Sequence, residues 1–176
     1  GDDLSPVPWA GPYCHCNTND LAGLKKQFLA QPAKRIGLNL GPCPDASLAA
    51  LLVAMFNTLD VTVVTLAPLA QLEPLFEGLA LEYAYTNHPA TIATLVKALD
   101  CVICVDSLLA HIAGAMTAEC HLLLPLTHES LWGAVGENTN WYPASRLYRQ
   151  SRQEGWQPAV AALQDRLTAS LKQAST

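Results

Sequence analysis

The sequence predicts a doubly wound α/β domain, with a mainly parallel sheet of about six strands and helices on both faces. Short β-branched or wholly apolar runs alternate with segments of helical period, the pattern of strands joined by crossover helices. Residues 101–105, Cys-Val-Ile-Cys-Val, are apolar at every position. A strand needs this only when both of its faces are covered. The chain has 176 residues, of which 51% are hydrophobic and 14% charged. At roughly 150 residues per domain this is one folded core, and the composition excludes a disordered chain.

In chain order, a helix is expected over residues 20–30 and a first strand over 35–40, stopped by the Gly41-Pro42-Cys43-Pro44 turn. Asp45 or Ser47 is placed to cap a helix running to about residue 58, because a short side-chain oxygen there accepts from exposed backbone amides. Residues 61–66 form a β-branched second strand, 68–77 a short helix and 79–85 a third strand. Ile92, Leu95, Val96 and Leu99 make a helical stripe over 89–99, with Pro89 suited to the first turn. The central strand 101–105 ends at Asp106, a helix follows over 108–116, and 120–124 is another strand. Residues 125–143 form a long loop, 146–149 an edge strand, and 158–172 an amphipathic helix with Val160, Leu163, Leu167 and Leu171 on one face. That last helix is expected to fold back toward the N-terminal segment.

Several functional classes are disfavoured. A net charge of -5 gives no footprint for a nucleic-acid backbone, and no apolar run is long enough to span a bilayer. The acidic, Pro-rich start does not resemble a signal peptide, and the lack of an initiator Met reads as a processed or trimmed chain. A core of this size has no need of disulfides, so the six cysteines point to a reducing, cytoplasmic setting. Cys14-His15-Cys16 has no second Cys/His pair at metal-binding spacing, and Cys101 and Cys104 lie inside a strand rather than at a helix start. No metal and no cofactor is expected.

In an open parallel sheet, ligands bind beyond the carboxyl ends of the strands. The segments there are 41–44, 67–68, 106–107 and 125–129, and the strongest is Asp106-Ser107 followed by a helix carrying His111. The acid and hydroxyl end a strand, and the helix start offers amides and a partial positive charge to a phosphate. Taken alone, Asp106 or Ser107 equally reads as a cap for that helix and His111 as a core residue. His128, Glu129 and Trp132 are placed either to touch a ligand or to anchor the loop.

The order of motifs is more informative. Asp106-Ser107, His111 and Ala113-Gly114-Ala115 are followed by Leu122-Leu123-Leu124-Pro125, Trp141-Tyr142-Pro143, Arg149-Gln150 and Trp156. The stretch 100–156 resembles the donor half of heptosyltransferase-like glycosyltransferases of family 9, in particular the version associated with tetratricopeptide repeats. Less specifically, Pro12-Tyr13 and the run from Lys34 to Leu38 resemble the passage from an interdomain linker into the first strand. The resemblance implies a single Rossmann-like lobe of a B-type glycosyltransferase, with residues 1–33 as linker and helix and 34–176 as the nucleotide-sugar-binding lobe. The acceptor-binding N-terminal lobe is then a separate, missing part.

The resemblance also implies a nucleotide-sugar donor facing Asp106, Ser107, the amide of Leu108 and His111. Gly41, Thr127, His128 and Trp132 would border it. The acceptor and the general base stay unassigned, and the lobe is not competent alone. Three departures stand out: residues 41–45 carry no Lys or Arg, residues 67–70 carry no acid, and the aromatic and basic loop of the family stands as Thr127-His-Glu-Ser-Leu-Trp132 without its Arg. They sustain an alternative from another class, a degenerate, non-catalytic interaction module that retains the fold. The loop 125–143 is expected to border the cleft and to be mobile, with Trp141, Tyr142 and Pro143 fixed by burial of both aromatics.

Overall fold

In a computed structural model, residues 11–16, 18–28, 33–42, 44–68 and 72–174 are described. Six strands form one sheet: β1 (Lys34–Asn39), β2 (Val61–Thr65), β3 (Leu81–Tyr83), β4 (Cys101–Val105), β5 (Cys120–Leu124) and β6 (Ser145–Arg149). Their order is β3-β2-β1-β4-β5-β6, and every pairing is parallel. The helices are α1 (Thr18–Phe28), α2 (Ala46–Phe56), α3 (Pro89–Ala98), α4 (Leu108–Ala115) and α5 (Gln157–Ala174). The doubly wound Rossmann-like class expected from the sequence is the class observed.

The sheet is buried on both sides because successive strand residues feed opposite cores. Ile36, Leu38, Val63, Cys101, Ile103 and Leu123 join α2 and α5 through Leu48, Leu52, Met55, Leu163 and Leu167. Their neighbours Val64, Val102, Cys104, Leu122 and Leu124 join α3 and α4 through Ala93, Val96, Leu109 and Ala113. Cys101, Cys104 and Cys120 are free and buried, and burial pushes the Cys101 thiol well above its ordinary range. They serve as core. Among the described residues no helix is long and apolar enough to cross a membrane.

Two expectations need correction. The helix expected over 68–77 is shorter than that: Leu72 is helical, and residues 73–79 are turns and bends. Pro74 has no amide to donate and its ring obstructs a continuous helix. Leu72 and Phe76 still reach the core. Residues 69–71 lie outside the described part. The second correction concerns α5, which packs on α2 and β6 and receives Lys34 Nζ on Ser170 Oγ at 3.1 Å. α1 lies against α3, and its Leu24 belongs to the opposite core. Among the described residues the stripe on α5 lies in the core shared with α2, and Leu24 of α1 lies in the other; residues 1–10 and 29–32 lie outside the described part.

Leu38 is wholly buried at the middle of β1. Leu38→Ala is expected to cost about 2–5 kcal/mol through lost transfer energy and a residual cavity. Urea unfolding should show a lower midpoint at unchanged slope.

Candidate functional site at the carboxyl ends of β1 and β4

Strand order reverses between β1 and β4: from β1 the chain winds to β2 and β3, and from β4 to β5 and β6. The loops leaving the two strands diverge and open a cleft between them, the usual ligand position in such sheets. Two hollows meet there at Ser107. One, of about 570 Å³, lies between the loop after β1, Asp106 and the loop after β5. The other, of about 240 Å³, is lined by Leu66, Tyr85, Ile92, Leu95 and Leu108 together with Asn39 and Asn87. A hollow of about 720 Å³ between β6 and α5 lies away from these ends.

The wall formed by the loop after β1 is held by short polar side chains. Asn39 Nδ2 donates to the Leu66 carbonyl, and its Oδ1 accepts from the Gly41 amide at 2.8 Å. Gly41 has φ +75, a conformation that disfavours a side chain, while a Cβ there would make only ordinary contact with Val105 Cγ2 at 3.4 Å. Asp45 caps α2, accepting on Oδ1 from the Ser47 amide and hydroxyl and from the Leu48 amide. Its Oδ2 accepts from Trp156 Nε1 at 3.0 Å, which ties the cleft wall to the start of α5. The Ser47 hydroxyl is the main cause holding the Asp45 carboxyl below its ordinary 3.8, burial opposes it, and Trp156 and the backbone amides add to the lowering.

At the end of β4 the two alternatives for Asp106 and Ser107 separate. Ser107 occupies the N-cap position of α4 in extended conformation but makes no side-chain cap hydrogen bond. Its Oγ instead donates back to the Val105 carbonyl at 2.9 Å. Asp106 Oδ2 accepts from the Glu129 amide at 3.1 Å, joining the end of β4 to the loop after β5. Ser107 leaves the helix without a side-chain cap bond; the Ala110 amide donates to the Ser107 carbonyl, and Ser107 and Leu108 line the hollows.

His111, one turn into α4, is half-buried. Its Nδ1 shares a hydrogen bond of 3.1 Å with the Tyr142 hydroxyl, and its ring stacks on Trp132 at a centroid distance of 5.3 Å. Burial, and then the hydrogen bond from Tyr13, push the Tyr142 phenol well above its ordinary range, so it stays an O–H. A Cβ on Gly114 would fall 2.3 Å from the Tyr142 ring. The Gly of Ala113-Gly114-Ala115 and the Tyr of Trp141-Tyr142-Pro143 therefore form one contact: the missing side chain admits the ring that orients His111.

The loop after β5 has polar contacts that the expectation did not include. Arg149 donates to the carbonyls of Trp132, Gly133 and Gly136 and to His128 Nε2. Arg is always a donor, so His128 Nε2 accepts and Nδ1–H is left to donate to the Pro125 carbonyl at 2.9 Å. Gln150 Oε1 accepts from the Leu126 amide. The loop has few apolar anchors but many polar ones, supplied by the Arg149-Gln150 pair. Trp141 is also unlike the expectation: it is 43% exposed, and Tyr142 alone of the two aromatics is buried.

The structure thus brings Asp106, Ser107, Leu108, Gly41, Thr127 and His128 to the cleft, though both His128 nitrogens are engaged by the loop. Neither His111 nor Trp132 lines either hollow: Trp132 is 1% exposed and stacks on the half-buried His111. Sequence reasoning missed two supporting residues, Tyr142 for His111 and Asp45 for Trp156. The paired Gly114 and Tyr142 motifs were the available signal for the first; Asp45 was already occupied by its expected capping role. A third juxtaposition joins separate elements: ligand atoms of Asp106, His111 and Glu129 lie within 4.8 Å of one another.

The fold and cleft define a Rossmann-like α/β domain with its candidate site at the topological switch point. No family model and no curated protein matches the sequence. Among solved structures, the fold is similar to glycosyl transferase family 9 of Veillonella parvula, with a TM-score of 0.60 at 12% identity over 80% of this chain and 43% of that one. It is also similar to the ADP-heptose LPS heptosyltransferase II of E. coli, with a TM-score of 0.63 at 16% identity over 98% of this chain and 56% of that one. At such identities the likeness is one of fold. The chain spans about half the length of each neighbour.

Two outcomes test the support of the site. Gly114→Ala is expected to destabilise by about 1–3 kcal/mol by overpacking Tyr142, and to shift the His111 ring resonances; Tyr142→Phe should shift the same resonances with less loss of stability. Asp45 has a lowered folded pKa, so its contribution is present above pH 3.8, the ordinary value, and is lost as pH falls through the folded pKa. Asp45→Ala should cost about 1 kcal/mol at neutral pH, and the difference from wild type in urea midpoint should shrink in acid.

Proposed function

We propose that this chain is the donor-binding half of a glycosyltransferase and holds a nucleoside-diphospho-sugar across the α4 N-terminus. The observation that carries this reading is the meeting of two hollows at Ser107, above a helix start with no side-chain cap. The smaller hollow, lined by Leu66, Ile92 and Leu95, suits a base, with Tyr85 offering an exposed ring. The amides of the first turn suit the diphosphate, where they would also stabilise charge developing on the leaving group. The larger cleft, with Asp106 and Glu129, suits the sugar hydroxyls.

Residues 1–33 form the linker and first helix on this reading, and 34–176 the donor lobe. The acceptor site and the general base belong to a second lobe, so the isolated chain does not turn over. The motif order adds an association with tetratricopeptide repeats to the proposal, and the acceptor stays unassigned. The reading is cytoplasmic on the cysteine usage, with Cys14, Cys16, Cys101, Cys104 and Cys120 all free.

One observation favours a second reading, the interaction module: the described residues lining the two hollows include no Lys or Arg. A diphosphate has no side-chain cation to meet.

Calorimetric titration with ADP-, GDP- and UDP-sugars separates the two. The donor reading expects saturable binding of one of them, with no binding at millimolar ligand favouring the module. Leu108→Pro removes a single amide at the first helical position, where Pro is tolerated, after a Ser107 that is already extended. It is expected to weaken the nucleotide about tenfold with little change in stability.

A further inference from the structure

The geometry points to a divalent-cation site formed by Asp106, His111 and Glu129, which supplies the positive charge that the cleft's own side chains lack. The inference rests on the donor-binding reading for its role, but the site is argued from the residues alone.

The three groups come from the end of β4, the second turn of α4 and the loop after β5, and their ligand atoms lie within 4.8 Å of one another. Ligands on opposite sides of an ion at about 2.1 Å stand about 4.2 Å apart, so small side-chain adjustments close this set on one ion. The supporting contacts resemble those of built metal sites. The bond from the Glu129 amide to Asp106 Oδ2 fixes one carboxylate relative to the other's backbone. His111 is held from behind by Tyr142 and flanked by Trp132. With the proton on Nδ1, donated to the Tyr142 oxygen, Nε2 presents its lone pair; a second partner of this kind fixes tautomer and ring orientation in metal-bound histidines.

Charge gives the set a purpose. Asp106 and Glu129 both line the cleft, which among its described lining residues has no Lys or Arg. Two carboxylates beside a diphosphate repel it unless a cation lies between them. Three protein ligands leave open positions for phosphate oxygens, and one imidazole with two carboxylates suits Mn²⁺ or Zn²⁺ better than Ca²⁺.

The test uses Mn²⁺ alone first, followed by electron paramagnetic resonance on the whole chain without nucleotide. One Mn²⁺ bound per chain and displaced by Zn²⁺ is expected, with affinity at least tenfold weaker in Glu129→Gln and in His111→Ala. Glu129 is exposed, so its variant reports on the site even where the His111 variant fails to fold. No bound Mn²⁺, or equal binding in Glu129→Gln and wild type, overturns the site. The nucleotide sugars are then titrated in Mn²⁺ and in EDTA, with at least tenfold weaker binding expected in EDTA. Equal affinity in EDTA overturns the ion's role toward the diphosphate and leaves the donor reading standing. Mn²⁺ held by this triad with no nucleotide affinity in either buffer supports the site and overturns the donor reading alone.

Discussion

Burial of β4 on both faces is the constraint on which the rest of the molecule depends. A strand that is apolar at every position must be covered twice, and a parallel sheet meets that demand by sending crossover helices over alternate faces. Val102 and Cys104 face α3 and α4, while Cys101 and Ile103 face α2 and α5. With β1 and β4 adjacent and their connections leaving in opposite directions, the loops at their carboxyl ends have nothing to pack between them. The cleft follows from how the core is closed, before any chemistry is placed in it.

What the cleft contains is set by a second tier of contacts, mostly one-to-one and polar. Arg149 holds three carbonyls and one imidazole of the loop after β5, Asp45 joins α2 to Trp156, and Asp106 reaches the Glu129 amide. Each links segments far apart in the chain. Gly114 and Tyr142 do the same by shape, through a side chain left out on one element and a ring inserted from another.

This division explains what was legible in the sequence. Strand and helix identities are written in local period, so β1, β2, β4 and β5 and the stripe of α5 could be read directly. The local reading carried the helix after β2 through Pro74, where turns form from residue 73 onward. The direction of α5 was not legible, because an apolar stripe states that a face is covered and not by what. At the site, Asp106, Ser107 and His111 were found from position and motif. Their partners were not, because a hydrogen bond between His111 and Tyr142 leaves no local pattern. The polar contacts of the loop after β5 were not legible for a related reason: apolar anchors can be counted in a sequence, whereas carbonyls held by a distant arginine cannot.

The orientation of Ser107 has an energetic side. A serine at an N-cap ordinarily contributes about 1 kcal/mol by satisfying a first-turn amide. This one turns its hydroxyl back to the strand it has just left. The fold therefore forgoes stability that its own sequence could supply, which on the donor-binding reading an anion on those amides would restore. On the donor-binding reading proposed above, occupancy and folding would be coupled at this point, and resistance to heat or proteolysis would report how full the cleft is.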